Sequence, residues 1–401
     1  MKQFSILLLV SILFINCKPK EKTTDIPNTF TLNADLDGLD EEFLIYWEKN
    51  EKYPDGIRQD TLWVENGKFT FTDSVTDYKT YFLNVTNPRT WTRVYDGKEY
   101  TASTKADVNR LWFIGYPGAT ITCTGKVNGY RVDAQLSDEK GVNNDLAAIN
   151  LQTFPLYDEA HGLSVSLSIE DWTGKDAEAM KVGDSVKALR LKAADLKKEF
   201  IKTHPKSIAA SYVFSDAYYR KYFSHEEAMG FFKNFDSTAL SGTPFYDEVK
   251  KRLESVDKTR VGMQAPDLIT SNTLDGKEFK LSALKGNYVL FDYWGTWCGP
   301  CMAEMPKIKE YYNKYKDRNF VVVGVNSGDT ASRWQKAVEE NNYIWTHIQT
   351  TKDNNLLIPF NVNSFPTKIL LDPEGKIIYS SKNTDLKVDL YQMIDGIFTK
   401  S

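Results

Sequence analysis

Cys298-Gly299-Pro300-Cys301 constrains this chain more than any other stretch. The apolar run Tyr288–Tyr293 leads into it, and Met302, Met305, Ile308 and Tyr312 follow at helical spacing. That pattern predicts a buried strand turning directly into a helix, with two thiols at the junction. The first thiol then faces the helix's unpaired N–H groups and the positive end of its dipole, which favours the thiolate. In such motifs the thiol pKa falls from ~8.5 to roughly 7 or below. Two thiols three positions apart can close into a small disulfide ring and open again. Cys298 is therefore the attacking sulfur, and Cys301 resolves the mixed disulfide. The same spacing is also half of a zinc site, which takes four ligands. The other cysteines, Cys17 and Cys123, are remote in sequence, and His161, His204, His225 and His347 stand singly. No metal site is expected.

The last third of the chain reads as alternating strands and helices. Leu268–Thr270 and Phe279–Leu281 flank Asp275-Gly276, a hairpin signal. Val321–Val325 is a second buried strand, and Ala331–Asn341 reads as a surface helix. Thr367–Leu371 and Lys376–Tyr379 flank the turn Asp372-Pro373-Glu374-Gly375, and Leu386, Leu390, Met393 and Ile397 make a closing amphipathic helix. The expectation is a central mixed sheet with helices on both faces.

On the residues Asp292-Tyr293-Trp294-Gly295-Thr296-Trp297-Cys298-Gly299-Pro300-Cys301-Met302-Ala303-Glu304-Met305-Pro306, the chain resembles the thioredoxin-like superfamily. More narrowly it is similar to the TlpA-like, AhpC/TSA-related thiol-disulfide oxidoreductases of the bacterial envelope. Val261-Gly262-Met263-Gln264-Ala265-Pro266-Asp267 and Ser364-Phe365-Pro366-Thr367 extend the likeness, which covers residues 261–401. The resemblance implies an α/β thioredoxin-like fold and a protein-disulfide reductase. It implies that Asp292 is a buried acid that exchanges a proton with Cys301. It also implies that Pro366 is cis and faces the disulfide, with Phe365 lining the substrate groove. Trp297, Gly299, Pro300 and Glu304 fall on the same substrate-facing surface. Plainer readings stand beside these: Asp292 paired with Lys285 or Lys368, Phe365 as a half-buried core aromatic, Glu304 as a solvated helix charge. Trp294 is expected in the core, and Pro306 removes one bond from the active-site helix. A thiol peroxidase on the same fold is the alternative, although Thr296 stands only two residues before Cys298.

With 401 residues the chain is too long for one such module. Its net charge of −4 argues against a nucleic-acid partner. After Lys2, the run Phe4–Ile15 is too short to span a membrane but fits a secretory leader. Cys17 follows it and resembles a bacterial lipidation site, which makes 1–17 a signal peptide and 18–28 a tether. Asn16 and Phe14 depart from the residues such sites favour. The folded part is thus expected outside the cytoplasm, in the periplasm or cell envelope, lipid-anchored to a membrane. Its partners are exported proteins bearing disulfides or thiols, and a membrane thiol electron donor recharges it. No cofactor is expected beyond the Cys298–Cys301 pair.

Residues 29–126 read as a β-rich domain: Thr29–Leu36, Phe43–Trp47, Thr61–Val64, Lys68–Thr72, Tyr81–Val85, Leu111–Ile114 and Ala119–Thr124 are strand-like. Asn66-Gly67 is its strongest hairpin signal. This part resembles the β-domains found ahead of thioredoxin-like modules in envelope lipoproteins. Tyr46, Trp47, Trp63, Trp91, Tyr95, Trp112, Phe113 and Tyr116 read as sandwich aromatics or as a ligand patch; a lipid-anchored ligand-binding protein is a further alternative function. Cys123 is expected buried in a strand as a small hydrophobe. Residues 137–256 read as helical, with the stripe Val182, Val186, Leu189, Ala193, Leu196 and Phe200, a capping box at Ser224 and Glu227, and a helix start at Thr243-Pro244. This region bridges the other two.

Overall fold

The structure is a computed structural model of the chain. It describes residues 27–39, 43–49, 57–85, 91–95, 98–102, 107–128, 131–169, 174–351, 354–382 and 388–399. The run Phe4–Ile15, Cys17, most of the expected tether and Leu386 lie outside the described residues.

The described N-terminal strands are β1 (Thr29–Asp37), β2 (Phe43–Lys49), β3 (Ile57–Trp63), β4 (Lys68–Ser74), β5 (Lys79–Val85), β6 (Trp91–Tyr95), β7 (Lys98–Ala102), β8 (Arg110–Gly115), β9 (Thr120–Asn128) and β10 (Arg131–Ser137). They form one sheet in the order β10-β9-β1-β4, a second in the order β3-β2-β5-β8, and a β6-β7 ribbon. Phe30 and Phe71 of the first sheet meet Tyr81 and Phe113 of the second; the Phe30–Tyr81 ring centroids are 4.7 Å apart. Alternation along β1 and β4 turns one face of each strand into this core. Asn66-Gly67 makes the expected tight turn, with φ of 50° and 77°. Its flanking strands nevertheless part after one bridge, Glu65 to Lys68: β3 joins β2, while β4 joins β1 in the other sheet. The Gly67 carbonyl accepts the Leu36 N–H at 2.9 Å, which docks the turn on β1. A Cβ at position 67 would lie 2.6 Å from the Leu36 carbonyl oxygen, so only glycine fits there. Cys123 lies buried on β9 opposite Ala34 and Leu136, and burial pushes its thiol up to about 12.

Six helices follow among the described residues: α1 (Val142–Ile169), α2 (Asp176–Thr203), α3 (Ile208–Tyr219), α4 (His225–Asn234), α5 (Ser237–Leu240) and α6 (Pro244–Lys258). Ser224 and Glu227 form both bonds of the capping box, and Pro244 opens α6. Val182, Val186, Ala193 and Phe200 are buried along α2. The helices are more than a spacer. Leu146, Ile149, Phe214 and Leu253 share one continuous core with Phe30 and Tyr81. At the far end Arg252 of α6 donates to the Val362 carbonyl at 3.0 Å, tying this layer to the C-terminal region.

That region carries β11 (Ile269–Thr270), β12 (Phe279–Lys280), β13 (Tyr288–Trp294), α7 (Gly299–Tyr315), β14 (Phe320–Asn326), α8 (Ala331–Glu340), β15 (Thr346–Gln349), β16 (Thr367–Leu371), β17 (Ile377–Ser380) and α9 (Leu390–Thr399). β11 and β12 pair as the expected hairpin. The main sheet runs β15-β14-β13-β16-β17, with β13, β14 and β15 parallel and β16 and β17 antiparallel. It is the mixed sheet of a thioredoxin-like fold. Its edge strand β15 was not legible in the sequence. The helices are distributed differently from the expectation. Leu290, Trp294 and Val322 face a core shared by Ile308 of α7, Trp334 of α8 and Ile394 of α9. Val289, Phe291 and Val323 face the opposite core, filled by Leu268, Phe279, Leu356 and Phe360 from the hairpin and connecting segments. Both crossovers, β13 to β14 and β14 to β15, step the same way across the sheet, so one handedness puts α7 and α8 on one face.

Candidate active site

Cys298 is the N-cap of α7, in extended backbone, and its Sγ accepts the Cys301 N–H at 3.2 Å. The sulfur therefore stands where a capping oxygen usually does, against the helix's unpaired donors. Cys298 and Cys301 are joined by a disulfide with Cα atoms 5.2 Å apart, and both are buried, 5% and 2% exposed. Gly299 and Pro300 between them are exposed. The helix runs on through Pro306, where the ring leaves one carbonyl without its intrahelical donor.

Strand register sets the chemistry beneath the disulfide. Asp292 on β13 lies opposite Lys368 on β16, and it shares the parity of Leu290 and Trp294, whose side chains face α7. Asp292 is fully buried. Burial pushes its carboxyl up to about 6, against the opposing pull of Lys368 and with a further push from Glu304. The Lys368 ammonium stands 3.3 Å from Asp292 Oδ1, near enough for an ion pair but not aligned as a hydrogen bond. It is better placed on Glu304, at 2.7 Å from Oε2, while the Tyr391 hydroxyl donates to Glu304 Oε1 at 2.8 Å. Two carboxylates thus share one buried cation. Glu304 is neither a solvated helix charge nor isolated from Asp292, because Lys368 joins them.

The rim above is aromatic. Trp297 is 51% exposed, and its indole N–H donates to the Ser327 carbonyl at 2.8 Å. Its ring packs edge-on against Phe365, centroids 5.3 Å apart. Phe365 and Pro366 are half-buried and joined by a cis peptide bond. Trp294, in contrast, is fully buried and meets Tyr343 and His347 edge-on.

A polar clamp that the sequence did not disclose holds the loop before Cys298. Asp329 accepts from the Thr296 N–H at 2.8 Å, from the Thr296 hydroxyl at 2.5 Å and from Asn326 at 2.7 Å. Gln349 donates to the Asn326 side chain and to the Asp329 carbonyl, both at 3.1 Å. Asn326 and Gln349 sit at adjacent strand ends, where their polarity gave no cue that they are buried. His347 is buried over Gly324, and desolvation holds it neutral, down at about 4. Of the residues singled out from sequence, Cys298, Cys301, Asp292, Glu304, Trp297, Gly299, Pro300, Phe365 and Pro366 all belong to this one neighbourhood, by bond, contact or chain adjacency. Asp292 pairs with Lys368 and not with Lys285. Cys17 lies outside the described residues. Among the described residues no three His, Cys, Asp or Glu side chains gather as metal ligands, and no helix is long and apolar enough to cross a membrane.

Residues 261–380 match the AhpC/TSA family. The thiol-disulfide oxidoreductase ResA of Bacillus cereus is 28% identical over 158 residues, 39% of this chain and 90% of that protein. The protein of the same name from Geobacillus thermodenitrificans is 32% identical over 34% of this chain and 78% of its own length. The crystal structure of the thioredoxin domain of a thiol-disulfide oxidoreductase from Bacteroides vulgatus is 34% identical, covering 34% of this chain and 97% of that one with a TM-score of 0.31. The family match spans the dithiol and Asp292, a relative is more than 30% identical across more than two thirds of its length, and on that ground the chain belongs to the ResA-like thiol-disulfide oxidoreductases of the AhpC/TSA family.

Proposed function

We propose that this oxidoreductase reduces disulfides of exported proteins. The observation that carries the reading is the pairing of a sulfur cap on α7 with a buried acid whose strand parity puts it on the sheet face that α7 covers. In the reduced enzyme, the Cys298 thiolate attacks a substrate disulfide; one substrate sulfur leaves as a thiolate and takes up a proton. Cys301 gives its proton to Asp292, attacks Cys298 Sγ and displaces the second substrate sulfur as a thiolate, which takes that proton from Asp292. The enzyme ends as the Cys298–Cys301 disulfide; the substrate has gained two electrons, one proton from Cys301 by way of Asp292 and one from solvent. The cycle uses no cofactor beyond this pair. Trp297, Phe365 and cis-Pro366, with Gly299 and Pro300 exposed beside them, form the surface on which substrate backbone docks. Glu304 and Lys368 set the acid's affinity for its proton.

A membrane thiol donor restores the dithiol. Cys17 is the lipidated residue after a cleaved leader, so that the protein works in the envelope, anchored to a membrane. Residues 261–401 carry the chemistry, while the β-region at 29–126 and the helices at 137–256 orient partners. The Gly-Pro pair between the cysteines favours the reducing direction, near roughly −270 mV. A glutathione titration and insulin reduction test direction; a midpoint near roughly −120 mV would make the protein an oxidant. Substitution Cys301→Ser should leave substrates trapped on Cys298, and Cys298→Ser should trap none.

A further inference from the structure

A cavity of about 530 Å³ opens between the β-region and the first three helices, with no residue of the redox segment in its wall. Its volume lies within the ~300–1,000 Å³ usual for small-molecule sites. α1 turns Asn150, Phe154, Tyr157 and His161 toward it, and spacings of four, three and four residues mark one helix face. A seam built only for packing would place aliphatic residues on that face. Here aromatic rings from three elements, Trp112, Phe154, Tyr157 and Tyr212 among them, make the walls. The charges are lopsided. Arg190, Lys197 and Arg220 line the cavity against a single lining carboxylate, Asp216, among the described residues. Lys197 is drawn inward, its side chain 12% exposed, 3.2 Å from Asp216 and 5.3 Å from the Tyr157 ring centre. Arg220 uses the same carboxylate at 2.8 Å. Arg190 stands exposed on α2, reaching only the Ser164 hydroxyl at 3.4 Å among its described contacts.

We propose that this cavity binds a small aromatic anion, with its flat ring against the tyrosine and tryptophan walls and its acid group on Arg190 and Lys197. Aromatic faces supply apolar contact with defined geometry, and the surplus of cations supplies the preference for negative charge. Asp216 limits that preference, because it already occupies two of the cations.

Calorimetric titration of the full chain with benzoate, indole-3-acetate and naphthalene-2-sulfonate tests this, with neutral indole-3-acetamide as the control. At least one anion should bind below ~1 mM, and the amide should bind at least ~10-fold more weakly than indole-3-acetate. Arg190→Ala, at an exposed position, should weaken the anion ~10-fold and leave insulin reduction unchanged. Asp216→Asn should tighten the anion and leave the amide alone, a sign that a merely structural seam would not show. The proposal fails if no anion binds at ~1 mM, if anion and amide bind alike, or if Arg190→Ala has no effect.

Discussion

Replacing Asp292 with asparagine isolates the cost of holding a carboxylate under the disulfide. Burial lifts this acid from the usual 3.8 to about 6. Between those values the folded protein keeps a proton that the unfolded chain has already released. Stability contributed by this group therefore falls as pH rises through that window and is gone above it. The shift corresponds to about 3 kcal/mol. The side-chain amide of Asp292→Asn carries no charge at any pH, so the variant lacks this slope, whatever constant cost the lost Lys368 contact adds. The unfolding free energy of the variant relative to wild type should grow in the variant's favour by about 3 kcal/mol between roughly pH 3.5 and pH 7. Urea unfolding of both oxidised proteins at half-unit pH steps reads the difference directly. Two curves that stay parallel to within ~0.5 kcal/mol would refute the claim that desolvation outweighs the Lys368 ion pair.

Glu304→Gln removes a negative neighbour that lifts Asp292 and leaves Lys368 to Asp292 alone. The acid limb of insulin reduction near pH 6 should move to lower pH, and a limb that stays or rises counts against the shared cation. Trp297→Ala should lower kcat/KM for a protein disulfide by about tenfold or more while changing unfolding free energy by less than ~1 kcal/mol, since the ring is half exposed; equal losses in both would assign Trp297 to packing. Gly324→Ala would set a methyl 2.6 Å from His347 Nδ1 and 3.2 Å from Trp294 Nε1, both buried, and should cost about 2 kcal/mol in urea unfolding; a neutral change would mean that the rings can yield.

What the sequence disclosed divides along physical lines. Local signals survived the passage to three dimensions. The two thiols at a strand-to-helix junction, the Ser224–Glu227 box and Pro244 at a helix start each rest on a few adjacent residues, and all three form as expected. Signals that depend on distant partners did not. Asn66-Gly67 fixes a turn but not whether its arms stay together, because that depends on β1 and β2 competing for them. β15 hid because Thr346, His347 and Gln349 are polar, and nothing nearby shows that His347 and Gln349 are covered by neighbouring strands. Asp329 looks like any acid before a helix, and only the fold brings it to Thr296. Lys368 was visible as a possible partner for Asp292, but its hold on Glu304 spans 64 residues and needed the antiparallel register of β16.

On the proposed mechanism, that register also puts substrate docking and proton handling on one rigid piece. Pro366 immediately precedes β16, and Lys368 is the strand's second residue. Side chains alternate along a strand, so a slip of one residue would turn Lys368 to the opposite face and leave Asp292 without a cation. The segment that carries the Phe365–Pro366 surface is therefore the one that tunes the acid. Two opposed effects meet at Asp292. Burial alone would keep it protonated through neutral pH and useless as a base. A full, undivided ion pair would hold it ionised and unwilling to take a proton from Cys301. Dividing Lys368 between Asp292 and Glu304 weakens the second effect without abolishing it. The result is an acid near 6, ionised at neutral pH yet still able to accept a proton, which is the condition a base serving the resolving thiol must meet.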